Sequence, residues 1–129
     1  MAHPNFRILV VDDEQAIAQT TATILENAGF ETKSVSDPAL ALEQVGDYKP
    51  DLLISDVMMP GMSGVELALA IRKAWPECRA LMMTGKIDAG ELLGAALKQG
   101  HDFALLQKPV PPQALLRFVK EAAAKSKLS

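Results

Sequence analysis

The chain has 129 residues, with 13 basic and 16 acidic side chains, a net charge of −3 and one cysteine. That length suits a single domain whose core needs no disulfide or structural metal. The charges are dispersed with no basic run, so nucleic-acid binding by this domain is not expected, and no apolar segment is long enough to span a bilayer.

Met1 to Phe6 lacks the charged start and long apolar stretch of a signal peptide. Cys78, alone, cannot build a disulfide framework and fits a reducing cytoplasm, so the expected location is cytoplasmic. Strand-like and helix-like segments then alternate. Arg7 to Val11 is apolar and β-branched and stops at Asp12-Asp13-Glu14. Ala16, Ile17, Thr20, Ile24, Leu25 and Ala28 recur at helical spacing, with Gly29 as the stop. Glu31 to Val35 alternates polar and apolar, the pattern of a strand near a sheet edge. Asp37-Pro38 is an N-cap with proline at the first helical position, opening a helix over Ala39 to Val45 that Gly46 is expected to close.

Leu52 to Ser55 reads as a buried third strand. After Asp56 and the Pro60-Gly61 turn, Ser63 with Glu66 three residues on forms a capping-box pattern. The third helix continues to about Trp75, where Pro76 prevents extension. Arg79 to Met83 is the fourth strand, and Asp88 or Ala89 to Gln99 the fourth helix, weakened by Gly90 and Gly94 at roughly 1 kcal/mol each relative to Ala. Phe103 to Leu106 is the fifth strand, and Pro112 to about Lys125 an amphipathic last helix. Only Met1 to Asn5 and Lys125 to Ser129 read as loose ends.

Five β-α pairs with short connections imply an α/β fold: a doubly wound, five-stranded parallel sheet with helices on both faces. Right-handed crossovers favour the flavodoxin-like order 2-1-3-4-5. Every strand then ends at one edge, where such sheets bind ligands. Collected there are Asp12 and Asp13 after strand one, Asp56 after strand three, Thr84 after strand four and Lys108-Pro109 after strand five. Three carboxylates in one crevice repel unless a cation sits among them. A hard divalent ion such as Mg²⁺ answers that need, and Lys108 and Thr84 add a charge and a hydroxyl that suit a phosphoryl group.

Taken together, Ile8-Leu9-Val10-Val11-Asp12-Asp13-Glu14, Asp56-Val57-Met58-Met59-Pro60-Gly61-Met62-Ser63-Gly64, Thr84 and Lys108-Pro109 resemble the receiver domain of bacterial two-component response regulators, in its single-domain, chemotaxis-regulator-like form. The resemblance covers residues 6–125, with no output domain in this chain. It implies that Asp56 accepts a phosphoryl group from a sensor histidine kinase or a histidine phosphotransfer protein. It also implies Mg²⁺ held by Asp13, Asp56 and the Met58 backbone carbonyl, with Asp12 acting mainly through water. Lys108 would pair with the phosphoryl oxygens, Thr84 would turn to hydrogen-bond them, and the Lys108-Pro109 bond would be cis. The implied role is a signalling module that catalyses only its own phosphorylation and slow dephosphorylation. Its output would pass to a downstream protein or a homodimer through the face of the fourth helix, fifth strand and last helix.

The chain departs from the family at Leu105, where an aromatic residue is usual three positions before the lysine, and Gly100 to Ala104 reads one residue long. The expected switch is therefore local ordering of the glycine-containing fourth helix. Met58, two positions after Asp56, cannot orient a water, and Lys86 adds charge beyond Thr84, so a long-lived phosphoryl state is expected. His101 reads as a solvated turn residue, the methionines as core and loop packing, and Trp75 as packing for the end of the third helix. A haloacid-dehalogenase-like phosphatase needs a second acid where Met58 stands, and a flavodoxin-like cofactor binder needs a phosphate loop where Asp12 and Asp13 stand. A scaffold that no longer takes phosphate would not need all five site residues.

Overall fold

The alternation of short apolar runs and helical repeats resolves into strands and helices in the computed structural model, which describes residues 3–85 and 104–128. In chain order these are β1 His3–Val11, α1 Gln15–Asn27, β2 Phe30–Val35, α2 Pro38–Tyr48 and β3 Leu52–Asp56. They continue with α3 Gly64–Ala74, β4 Arg79–Thr84, β5 Ala104–Gln107 and α4 Pro112–Leu128. The sheet runs β2-β1-β3-β4-β5, and every neighbouring pair is parallel.

The three central strands are continuous apolar runs because both faces are covered. Leu9, Val11, Leu53, Val57 and Met82 point to the side packed by Ala41 and Val45 of α2 and by Val65, Leu67 and Ile71 of α3. Ile8, Val10, Leu52, Ile54 and Leu81 point to the other side, against Ala18 and Leu25 of α1 and Leu115 and Val119 of α4. Ile8 to Val11 and Leu52 to Ile54 have no exposed surface. At about 25 cal/mol per Å² of apolar area buried, two such faces supply the main force holding the sheet and its helices together.

Local signals explain most boundaries. The Asp37 carboxylate accepts from Ala39 N at 3.0 Å, so the N-cap stands where the Asp-Pro pair put it. Ser63 and Glu66 form both halves of the capping box, at 3.1 and 3.2 Å. Helix α3 ends at Ala74, with Trp75 as its C-cap and half-buried against the core.

Three expectations are corrected. Helix α2 does not stop at Gly46 but continues to Tyr48, and Lys49 takes the left-handed C-cap at φ 52°. The cause is tertiary: the Tyr48 hydroxyl donates to the carbonyls of Ile8 at 3.1 Å and Glu31 at 3.3 Å, anchoring the last turn to β1 and β2. Of the ends read as loose, the described residues lie in regular elements: β1 starts at His3, which pairs with Phe30 ahead of a register shift, and α4 extends to Leu128. Not all methionines pack: Met59, Met82 and Met83 are buried, but Met58 is 45% exposed. The expected fourth helix, with Gly90 and Gly94, and also Lys86, His101 and Phe103 lie outside the described residues.

Candidate functional site

Because β1 lies beside β3, their carboxyl ends meet at one edge, with Val11 in register with Ser55. The next residue on each strand is an aspartate. Asp12, Asp13 and Asp56 each place a carboxylate oxygen within 4.8 Å of the others. The three differ in surroundings: Asp12 is fully buried, Asp56 half-buried and Asp13 exposed. The Asp12 Oδ1 atom accepts from Glu14 N at 3.0 Å, turning the chain into α1, which has no side-chain cap of its own.

The fourth member arrives from the far side of the sheet. Thr84 pairs with Gln107, and Lys108 N donates to the Thr84 carbonyl at 2.8 Å, so β4 and β5 end together at this edge. The Lys108-Pro109 bond is cis. Lys108 Nζ lies 3.0 Å from Asp12 Oδ2 and 3.2 Å from Asp56 Oδ2. Partial burial pulls the lysine pKa down, but hydrogen bonds and charge from Asp12 and Asp56 more than offset this, and it ends above the ordinary 10.5. A charged ammonium therefore bridges the two strand ends. Thr84 is buried at 6% exposure, one residue beyond the Asp56–Met83 pair in register.

The loop after Asp56 is held at its base. Val57 N donates to the Met83 carbonyl at 3.0 Å, and Gly64 N donates to the Val57 carbonyl at 2.8 Å. Gly61 adopts φ 84°, which the Pro60-Gly61 turn needs and a side chain would resist. Gly64 is bare for a different reason: a Cβ there would collide with the Asp56 carbonyl oxygen and sit 2.9 Å from Ser55 Oγ. These contacts leave Met58 on the outer side of the loop, two residues past Asp56.

The structure thus joins Asp12, Asp13, Asp56 and Lys108 by direct distances, and Thr84 by strand register. The sequence pointed to each of them. It did not point to the Lys108–Asp12 bond, which spans the sheet, nor to buried Ser55, whose small polar side chain reads as filler in an apolar strand. Three hard oxygen donors in reach of one point fit a small divalent cation. Such an ion and the lysine together offer positive charge to an incoming anion, beside a carboxylate able to act as nucleophile.

An acidic crevice with one bridging lysine, at the carboxyl edge of a 2-1-3-4-5 sheet, defines a receiver-type α/β domain. The response regulator receiver domain family matches residues 8–120, and the chain belongs to that family of two-component signalling modules. Over 114 residues it is 34% identical to the DNA-binding response regulator MtrA of Mycobacterium tuberculosis, covering 88% of this chain and 49% of MtrA. The chain therefore spans about half the length of the curated relatives it matches. Among solved structures it is similar to a receiver domain from Clostridium thermocellum, with TM-score 0.84, 32% identity and coverage of 95% of this chain and 98% of that one. A CheY-like receiver domain from Methanospirillum hungatei gives TM-score 0.82 at 31% identity, covering 95% and 96%. Among the described residues no helix is long and apolar enough to cross a membrane.

Proposed function

We propose that Asp56 is a phosphoacceptor, and that the unit over residues 6–125 works in the cytoplasm as a phosphorylation-dependent switch rather than as an enzyme with a separate substrate. One observation carries this reading: the Asp56 carboxylate lies within hydrogen-bond reach of a lysine and inside a cluster of three carboxylates. The donor would be a phosphohistidine on a sensor kinase or a histidine phosphotransfer protein. An Asp56 carboxylate oxygen attacks phosphorus, the P–N bond breaks, and the imidazole leaves with its electron pair. Hydrolysis later returns the free carboxylate and inorganic phosphate as water attacks phosphorus and the P–O bond to Asp56 breaks.

Asp13, Asp56 and the Met58 carbonyl would hold Mg²⁺, with Asp12 contributing through water. When bound, that ion supplies charge neutralisation at the phosphoryl oxygens. Lys108 moves from its carboxylate partners to those oxygens, and the Thr84 hydroxyl turns toward them, drawing the end of β4 inward. Output to a downstream protein or a second copy leaves through the surface that includes β5 and α4. Leu105, 47% exposed on β5, lies on it where the family usually has an aromatic residue.

Incubation with acetyl phosphate tests the proposal. Labelling that needs Mg²⁺ and disappears in Asp56→Asn supports it, whereas persistent labelling of that variant refutes the assignment.

A further inference from the structure

The peptide unit that leaves Asp56 is held at both ends. Its N–H, on Val57, donates to the Met83 carbonyl at 3.0 Å. Its carbonyl, on Asp56, accepts from the Ser55 hydroxyl at 3.0 Å. Ser55 has no exposed surface, in a strand whose other buried residues, Leu52, Leu53 and Ile54, are apolar. A fully buried hydroxyl is costly unless it is bonded, and here its bond goes to the backbone of the reactive residue. Gly64 closes the third side. Its missing Cβ leaves the room that the Asp56 carbonyl and Ser55 Oγ occupy, and its N–H holds the next carbonyl along, that of Val57, at 2.8 Å.

The orientation of this peptide fixes the backbone torsion after Asp56. That torsion sets the path of Val57 and Met58 relative to the Asp56 carboxylate. The two oxygen donors contributed by this segment, the carboxylate of Asp56 and the carbonyl of Met58, therefore depend on one peptide plane. Small divalent ions such as Mg²⁺ demand near-ideal octahedral geometry, so an unfixed plane would cost affinity. Neither Ser55 nor Gly64 presents a ligand to the ion. They act on the residues that do.

We propose that Ser55 is a positioning residue: its buried hydroxyl, braced against bare Gly64, locks the Asp56–Val57 peptide and thereby sets the divalent-cation affinity of the site. This rests on the reading of Asp56 as a phosphoacceptor with a cation beside it. Ser55→Ala leaves the Asp56 carbonyl without its donor, and Ser55→Thr keeps a hydroxyl on a strand that tolerates β-branching.

Mg²⁺ binding to the full chain is measured by calorimetry at neutral pH, beside thermal melts of each variant. Ala41→Gly in α2, which loosens a helix away from the strand end, serves as the stability control. The expected result is a Kd for Mg²⁺ raised about two- to tenfold in Ser55→Ala, from the size of one lost hydrogen bond. Ser55→Thr then returns toward the wild-type Kd, and Ala41→Gly keeps it despite a lower melting temperature. If wild type binds Mg²⁺ and Ser55→Ala binds it equally well, the positioning role is overturned while the phosphoacceptor reading stands. If wild type binds no Mg²⁺, both fall. Should Ser55→Ala not fold, Ser55→Cys replaces it, its weak S–H donor predicting a raised Kd, and an unchanged value there overturns the inference.

Discussion

The ammonium of Lys108 and the buried carboxylate of Asp12 meet at 3.0 Å across 96 positions of sequence. The same ammonium reaches Asp56 at 3.2 Å, so one side chain holds the ends of β1 and β3 from the end of β5. This gives the site a resting cation before any metal arrives. Lys108→Met leaves Asp12 buried without its counter-charge. Breaking a fully buried pair costs about 3–5 kcal/mol, and partial exposure of the lysine reduces this to roughly 1–3 kcal/mol. Urea melts at neutral pH should show that loss. Added Mg²⁺ should restore stability to Lys108→Met more than it stabilises wild type, because the like-charged competitor is gone.

Alkaline pH should destabilise the fold in a defined order. Burial pushes the Cys78 thiol from 9.0 up to about 12. Burial, with the Glu31 charge next, pushes Tyr48 from 10.0 up to about 12. In both cases the folded state keeps a proton that the unfolded chain releases, so stability falls as pH rises above the unfolded value. Lys108, raised above 10.5 by its partners, adds to the loss above that point in the same sense. Stability measured from pH 8 upward should begin to fall near 9.0, and Cys78→Ala should delay the onset toward 10.0. The buried thiol should also react slowly with disulfide reagents until urea unfolds the chain.

Two glycines should respond to alanine with opposite signs. Gly46 lies inside α2 with nothing within 4 Å of an added Cβ. Gly46→Ala should stabilise by about 0.5–1 kcal/mol. Gly64 opens α3, where alanine would ordinarily also help, but its Cβ would meet the Asp56 carbonyl. Gly64→Ala should instead destabilise by roughly 1–3 kcal/mol or more. Chemical denaturation of both variants checks the pair.

These glycines also show what could be read in advance. Gly29 follows α1 at φ 96° as its position suggested, yet Gly46 did not end α2 because Tyr48 bonds to β1 and β2 beyond it. Local stop signals succeed where no distant contact opposes them. The sheet order was legible because apolar runs mark the central strands, and alternation in Glu31 to Val35 marks the edge. The carboxylates and Thr84 were legible because strand ends converge by topology alone. The Lys108–Asp12 bond and the Ser55 hydroxyl were not, since both depend on side-chain positions that no spacing rule encodes.

The lifetime of a phosphoryl group should depend on Met58. It is 45% exposed, two residues after Asp56, and has no group to orient an attacking water. Met58→Asn should speed loss of the label several-fold with little change in stability, since an exposed side chain is exchanged. Decay of the phosphorylated protein after removal of the donor provides the comparison.

The central claim is that Asp56 itself carries the phosphoryl group. Borohydride reduction of chain treated with acetyl phosphate and Mg²⁺, followed by peptide mass mapping, tests it most directly, because an aspartyl phosphate is reduced to homoserine at the residue that held it. The account predicts homoserine at position 56 in wild type and at no position in Asp56→Asn. Homoserine at Asp12 or Asp13, or labelling that survives in Asp56→Asn, would contradict it.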